Sequence, residues 1–115
     1  MSVHKEKILA VCNQICKGTL METLAIEYID VGENFLIAKM PVNAKVYQPD
    51  GVLHGGATVA LAESVGSPTS ILAIDTKKYA VRGIEFSANH LRSVKSGNVI
   101  ATAKIIHKGK TIHLV

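Results

Sequence analysis

The chain has 115 residues, with 13 Lys and Arg against 9 Asp and Glu for a formal net charge of +4; this is room for one compact domain over residues 1–115 and not for two. Hydrophobic residues make up 48% and aromatics 4%, which excludes a disordered chain and calls for a core of Ala, Val, Ile and Leu. The basic residues are scattered, with no run longer than Lys77-Lys78 and no interleaved rings, which argues against a nucleic-acid partner; no stretch approaches the ~20 apolar residues of a membrane span and the N-terminus lacks a signal core, so a cytoplasmic protein without a membrane partner is expected.

Residues 5–17 place Ile8, Leu9, Cys12, Ile15 and Cys16 at helical spacing, and Gly18 follows as a C-terminal cap. Cys12 and Cys16 share one helix face with no second pair in the chain, so they read as small core residues, and no disulfide or metal site is expected. Residues 24–31 and 35–42 are apolar, β-branched runs separated by Gly32-Glu33-Asn34, the pattern of a β-hairpin. The segment Asn43 to Gly56 carries Pro49, Asp50 and three glycines and reads as a loop of the kind on which sites sit. From residue 56 to about 74 the chain is rich in Ala and Leu, with Glu63 its only charge, which predicts a helix apolar on nearly all sides and therefore buried. Strands are expected again at 79 to about 91 and at 99–107, joined by a turn at 93–97, with a last strand starting at Thr111 after Lys108-Gly109-Lys110. Helix, hairpin, long helix, then antiparallel meander is an α+β order with a sheet packed on one central helix.

Glu63 stands out as a carboxylate within an apolar helix, where loss of water favours its neutral, reactive form, unless it pairs with a cation or a backbone amide. Gly55 and Gly56 open that helix; lacking Cβ atoms, they let a ligand oxygen approach backbone N–H groups at the positive end of the helix dipole. Gly56 and Glu63 are seven residues apart, roughly 10 Å along a helix. A side chain leaning towards the N-terminus recovers only part of that gap, so a site using both is expected to take Gly56 from one subunit and Glu63 from another.

The run Gln48-Pro49-Asp50-Gly51-Val52-Leu53-His54-Gly55-Gly56-Ala57, with Leu61-Ala62-Glu63-Ser64-Val65-Gly66-Ser67, Gly83-Ile84-Glu85 and Ala88-Asn89-His90-Leu91-Arg92-Ser93, resembles the hotdog-fold acyl-CoA thioesterases related to 4-hydroxybenzoyl-CoA, phenylacetate-pathway and 1,4-dihydroxy-2-naphthoyl-CoA thioesterases. The resemblance covers almost the whole chain and implies an antiparallel sheet wrapped around a long central helix. It also implies hydrolysis of an acyl-CoA, aromatic acyl groups included, to free acid and CoA, with no cofactor, since CoA belongs to the substrate. By the same resemblance Glu63 is the general base that activates water, or the nucleophile that forms a mixed anhydride. The Gly56 amide is then the oxyanion donor, Gln48 and His54 polarise and position the thioester, and Ser67 positions the water or acyl group. Gly55, His90, Arg92, Lys108 and Lys110 match positions that hold CoA, the cations suiting its phosphates. The resemblance further implies a homodimer as the minimal active unit, within a homotetramer.

Two departures accompany the resemblance. Family members continue past the position of Val115, so the final strand region of the hotdog sheet is not in this sequence and an exposed sheet edge is expected. Pro68 cannot donate to Ser64 and is expected to kink the helix one turn after Glu63. A non-catalytic acyl-CoA binding module and a hotdog dehydratase or hydratase are the competing readings, the latter resting on Asp/His or Glu/His pairs in a different motif context.

Overall fold

The computed structural model describes residues 2–115. Helix α1 spans Val3–Ile15, capped at its start by the Ser2 hydroxyl, which accepts the Lys5 N–H. Leu9, Cys12 and Cys16 turn inward as their spacing requires, but Ile15 is 69% exposed; it lies about 100° round the helix from Cys16 and cannot share its face. Gly18, at φ +76°, takes the chain out of the helix through the left-handed region. A short helix α2 (Leu20–Thr23), absent from the sequence reading, leads into the sheet.

Strands β1 (Glu27–Gly32) and β2 (Phe35–Pro41) form the expected hairpin, turning through Glu33 and Asn34, the latter at φ +65°. Along β2 every second residue, Leu36, Ala38 and Met40, is buried completely, so each large one stabilises the fold by about 1.5–3 kcal/mol. In β1 the ladder steps from Tyr28 opposite Ala38 to Asp30 opposite Ile37. The extra residue, Ile29, is a bulge, which is why Tyr28 and Val31 both face inward although three positions apart. Strand β3 (Asn98–Lys104) joins the other edge of β2 antiparallel, from Phe35 opposite Lys104 to Pro41 opposite Asn98, giving the order β1-β2-β3. Helix α3 (Gly55–Ile71) lies across β2 and β3, and α1 against β1; one core joins Leu9, Cys12 and Cys16 with Tyr28, Leu36, Met40, Leu61 and Val65.

Three expectations are corrected. Helix α3 is not buried all round: its fully covered residues are Leu61, Val65, Thr69 and Ser70, because three strands shield one stripe of a helix and no more. Gly56 and Glu63 are exposed. Next, the strand expected at 79–91 is not formed. Among the described residues no backbone–backbone hydrogen bond involves positions 80–93, and all of them but Val81 are exposed. Their alternating, β-branched sequence supplies propensity, but a strand exists only where a neighbour completes its ladder. The strand expected at 99–107 ends at Lys104, and the chain finishes in a small hairpin of β4 (His107–Lys108) and β5 (His113–Leu114). His113 Nδ1 lies 3.1 Å from Ser70 Oγ and ties that hairpin to the end of α3. Pro68 is accommodated within α3, which runs on to Ile71.

Candidate active site at the N-terminus of the central helix

The loop before α3 is stitched to the turn that precedes β3. Leu53 N–H donates to Val94 O, the Tyr47 hydroxyl to Lys95 O, and His54 N–H to Val46 O. Within the loop Gln48 and Val52 close a turn in which Gly51 adopts φ +81°, a conformation costly for any residue with a Cβ. The Gln48 amide donates to Asp50 Oδ1 at 2.9 Å. A carboxylate only accepts, so this contact orients the amide, with Nε2 on Asp50 and Oε1 on the other side.

His54 is the N-cap of α3. Its Nδ1 accepts the Gly56 N–H at 2.7 Å, and its carbonyl takes Ala57 and Thr58. An accepting Nδ1 puts the proton of the neutral ring on Nε2, leaving one outward donor. Gly56, the expected oxyanion donor, therefore has its N–H already engaged. The Gly55 N–H has no acceptor among the described residues.

His90 packs against the same turn: a Cβ on Gly55 would lie 3.3 Å from its Nε2. Glycine at position 55 is thus a matter of room as well as of backbone access. A cavity of about 530 Å³ opens here, with Gln48, Gly55, Thr58, His90 and Arg92 in its wall. Four residues that the sequence singled out separately are thereby brought together at one end of α3, where the helix dipole is positive.

Glu63 is not in that wall. It lies two turns along α3, exposed, beside Gly83, where a Cβ would stand in ordinary contact, 3.5 Å from Oε2. The low-water surroundings expected around Glu63 are not supplied by its own chain. Ser67 is half-buried one turn further on, and its hydroxyl makes no hydrogen bond among the described residues. Lys108 and Lys110 are at the opposite end. Lys108 borders a separate hollow with Thr69, Leu72 and Ala73, so a chain does not gather these lysines with His90 and Arg92; the length of α3, roughly 25 Å, lies between them. No group of three or more His, Cys, Asp or Glu suited to a metal occurs among the described residues, and no helix among them is long and apolar enough to cross a membrane.

Cys12 and Cys16 are buried thiols, Cys16 Sγ lying 3.2 Å from the Cys12 carbonyl. Burial, and after it Cys16, pushes the Cys12 thiol above its ordinary value, which suits inert core residues. The sequence reading missed Tyr28, whose hydroxyl meets α3 one residue after Glu63, and Asn13, which holds the Tyr28 backbone. A proline inside a helical pattern was the available signal, since it demands a substitute donor for the carbonyl four residues back.

An antiparallel sheet laid on one long helix, with a glycine-opened helix N-terminus beside a cavity, is the α+β architecture of the hotdog class. The family model described as the thioesterase superfamily matches residues 50–115. Thioesterase PA1618 of Pseudomonas aeruginosa, solved as a mutant, is 44% identical and superposes with a TM-score of 0.89 over 91% of this chain and 76% of that one. Thioesterase HI1161 of Haemophilus influenzae is 43% identical, with a TM-score of 0.87 over 91% of this chain and 73% of that one. The 1,4-dihydroxy-2-naphthoyl-CoA hydrolase of Escherichia coli K12 is 40% identical over 108 residues, covering 93% of this chain and 79% of the relative. The chain belongs to the thioesterase superfamily, and it is a hydrolase.

Proposed function

We propose that the protein hydrolyses an acyl-CoA thioester to the free acid and CoA as a homodimer, each site combining Glu63 of one chain with the α3 N-terminus of the other. The observation that carries this reading is the separation within one chain: the cavity that holds Gln48, Gly55, His90 and Arg92 excludes Glu63. The relative named for 1,4-dihydroxy-2-naphthoyl-CoA supports a CoA ester, with an aromatic acyl group as the first choice. Arg92 and His90 at the cavity wall offer donors to CoA phosphates, and Lys108 and Lys110 serve the same end only if a neighbouring copy presents them.

In the proposed reaction the carbonyl oxygen of the thioester sits at the Gly55 N–H. That amide is the better donor because using Gly56 would require its release from His54. Glu63 takes a proton from water, the resulting hydroxide adds to the carbonyl carbon, and the negative oxygen is stabilised by the backbone amide and the helix dipole. The tetrahedral intermediate then collapses, the C–S bond breaks, and the CoA thiolate takes up the proton from Glu63. Gln48, oriented by Asp50, and the outward Nε2–H of His54 position the thioester, and Ser67 positions the water.

The unpaired segment 80–93 is the natural seam between copies. It runs back along α3, with Gly83 beside Glu63 and His90 beside Gly55. Antiparallel self-pairing brings Glu63 towards the partner's Gly55 when Gly83 of one copy lies within one position of His90 of the other. A two-fold axis through an antiparallel ladder passes through a residue opposed to its own copy, so the two registers nearest this placement centre on Phe86, with Gly83 opposite Asn89, or on Ser87, with Ile84 opposite His90.

Purified protein is tested against aliphatic and aromatic CoA esters with a thiol reagent; Glu63→Ala is expected to lower kcat about 10³-fold. Mixing Glu63→Ala chains with chains whose Gly55 N–H is deleted (Gly55→Pro) should restore about a quarter of the activity, because half the dimers are mixed and each has one intact site. Unmixed-level activity after exchange of subunits would overturn the two-chain site.

A further inference from the structure

Pro68 stands inside α3, five residues after Glu63 and next to Ser67. A helix carries the carbonyl of residue i on the N–H of residue i+4, and proline has no N–H. The carbonyl left without its helical donor is that of Ser64, the residue that follows Glu63. An acceptor shielded from water and left without a partner is costly, yet Ser64 O is not bare: the Tyr28 hydroxyl donates to it at 2.5 Å, from the sheet.

Tyr28 reaches this point by construction. It is 3% exposed, and it stands at the β1 bulge, where the ladder slips between Tyr28 and Asp30. A bulge re-aims a side chain but leaves backbone groups to be satisfied elsewhere. Asn13 of α1 supplies both partners: its Oδ1 accepts the Tyr28 N–H at 2.8 Å and its Nδ2 donates to Tyr28 O at 3.1 Å. Burial first, and then the nearby thiols of Cys16 and Cys12, raises the Tyr28 phenol above its ordinary value, so it remains protonated, and a donor, throughout the neutral range. Asn13, Tyr28, Ser64 and Pro68 thus form one chain of contacts from α1 through the sheet to α3.

The geometry points to Tyr28 as a positioning residue: its hydroxyl replaces the helical hydrogen bond that Pro68 removes and so holds the turn of α3 that carries Glu63 and Ser67. Without it, Ser64 O would have to find water or tilt outward, and the turn from Glu63 to Ser67 would open with it. Tyr28 touches no substrate; it acts through the helix. This inference rests on the reading of Glu63 as the acting carboxylate, and its test is built so that the two fail separately.

The experiment is a double-mutant cycle of Tyr28→Phe and Pro68→Ala in the full chain. Pro68→Ala restores a backbone N–H that can serve Ser64 O, so the hydroxyl becomes dispensable. Tyr28→Phe alone should lower the unfolding temperature by about 5 °C and kcat about tenfold with little change in KM. In the Pro68→Ala background the same substitution should change kcat by less than about twofold and leave the unfolding temperature nearly unmoved. Equal losses in both backgrounds, by either readout, would overturn the substitution of one hydrogen bond for the other. Coupling in stability with no coupling in kcat would overturn the positioning role. Failure of the Glu63 reading has a different signature, an unaltered rate in Glu63→Ala, which the stability cycle does not share.

Discussion

Strand β2, residues 35–41, and the segment 80–93 each carry apolar, β-branched and aromatic residues, Phe35 and Ile37 in the one and Val81, Ile84 and Phe86 in the other, and have opposite fates. The first is a fully paired central strand with Leu36, Ala38 and Met40 at 0% exposure. The second makes no backbone ladder and leaves Ile84 79% and Leu91 89% exposed. Both flank α3, so one side of the central helix is finished by the chain itself and the other is left open. The difference teaches that β character in this protein is a property of pairs: β2 has β1 and β3 to either side, and 80–93 has no strand within reach. The proposed site follows the same division. The His54-Gly55-Gly56 turn is capped, stitched and walled by residues of its own chain, whereas Glu63, beside the open segment, is exposed and lies outside the wall of the cavity at that turn.

Breaking the open side should have the largest effect. A charge at the proposed two-fold, Phe86→Asp, places like charges opposite one another and is expected to abolish activity at dilute concentration and to shift the protein to monomers in analytical ultracentrifugation. The complementary scan replaces single residues from 82 to 91 with cysteine: spontaneous disulfide dimers should form at position 86 or 87 and fall away on both sides. A maximum elsewhere would sink the register, and a fully active monomer would sink the two-chain site altogether.

The closed side is probed by comparing two substitutions at Gly55. Both add a Cβ next to His90, but only proline deletes the N–H, at a position where the first turn of a helix tolerates it and after a His54 already in the extended conformation proline demands (φ −66°, ψ 132°). Gly55→Pro should therefore cost about 10²–10³ in kcat relative to Gly55→Ala. Equal rates in the two variants would remove Gly55 from the role of oxyanion donor and return it to Gly56.

The smallest effect concerns the core that β2 and α1 share. The folded chain keeps the protons on Cys12 and Tyr28 at pH values where the unfolded chain has released them. Stability is thus fully present below the ordinary thiol value of 9.0 and falls as pH rises above it. A drop of a few degrees in unfolding temperature between pH 8 and pH 10.5, reduced in Cys12→Ala, is the expected result. A flat profile in the unaltered chain would show that burial does not hold these protons.

The sequence by itself determined the hairpin, both long helices and the family, because each rests on short-range rules. Helical spacing set the buried stripe of α1, turn residues set Glu33-Asn34, and the motif around Gln48, His54-Gly55-Gly56 and Glu63 carries the resemblance by itself. Only the tertiary structure decided which amide at the helix start is free, since that depended on whether the His54 ring folds back onto Gly56. It alone showed that Pro68 is answered by Tyr28, a partner far earlier in the chain and on another element. The fate of 80–93 belongs to the same class: strand propensity is local, but the hydrogen bonds that make a strand come from a neighbour, and no pattern within the segment says whether one is at hand.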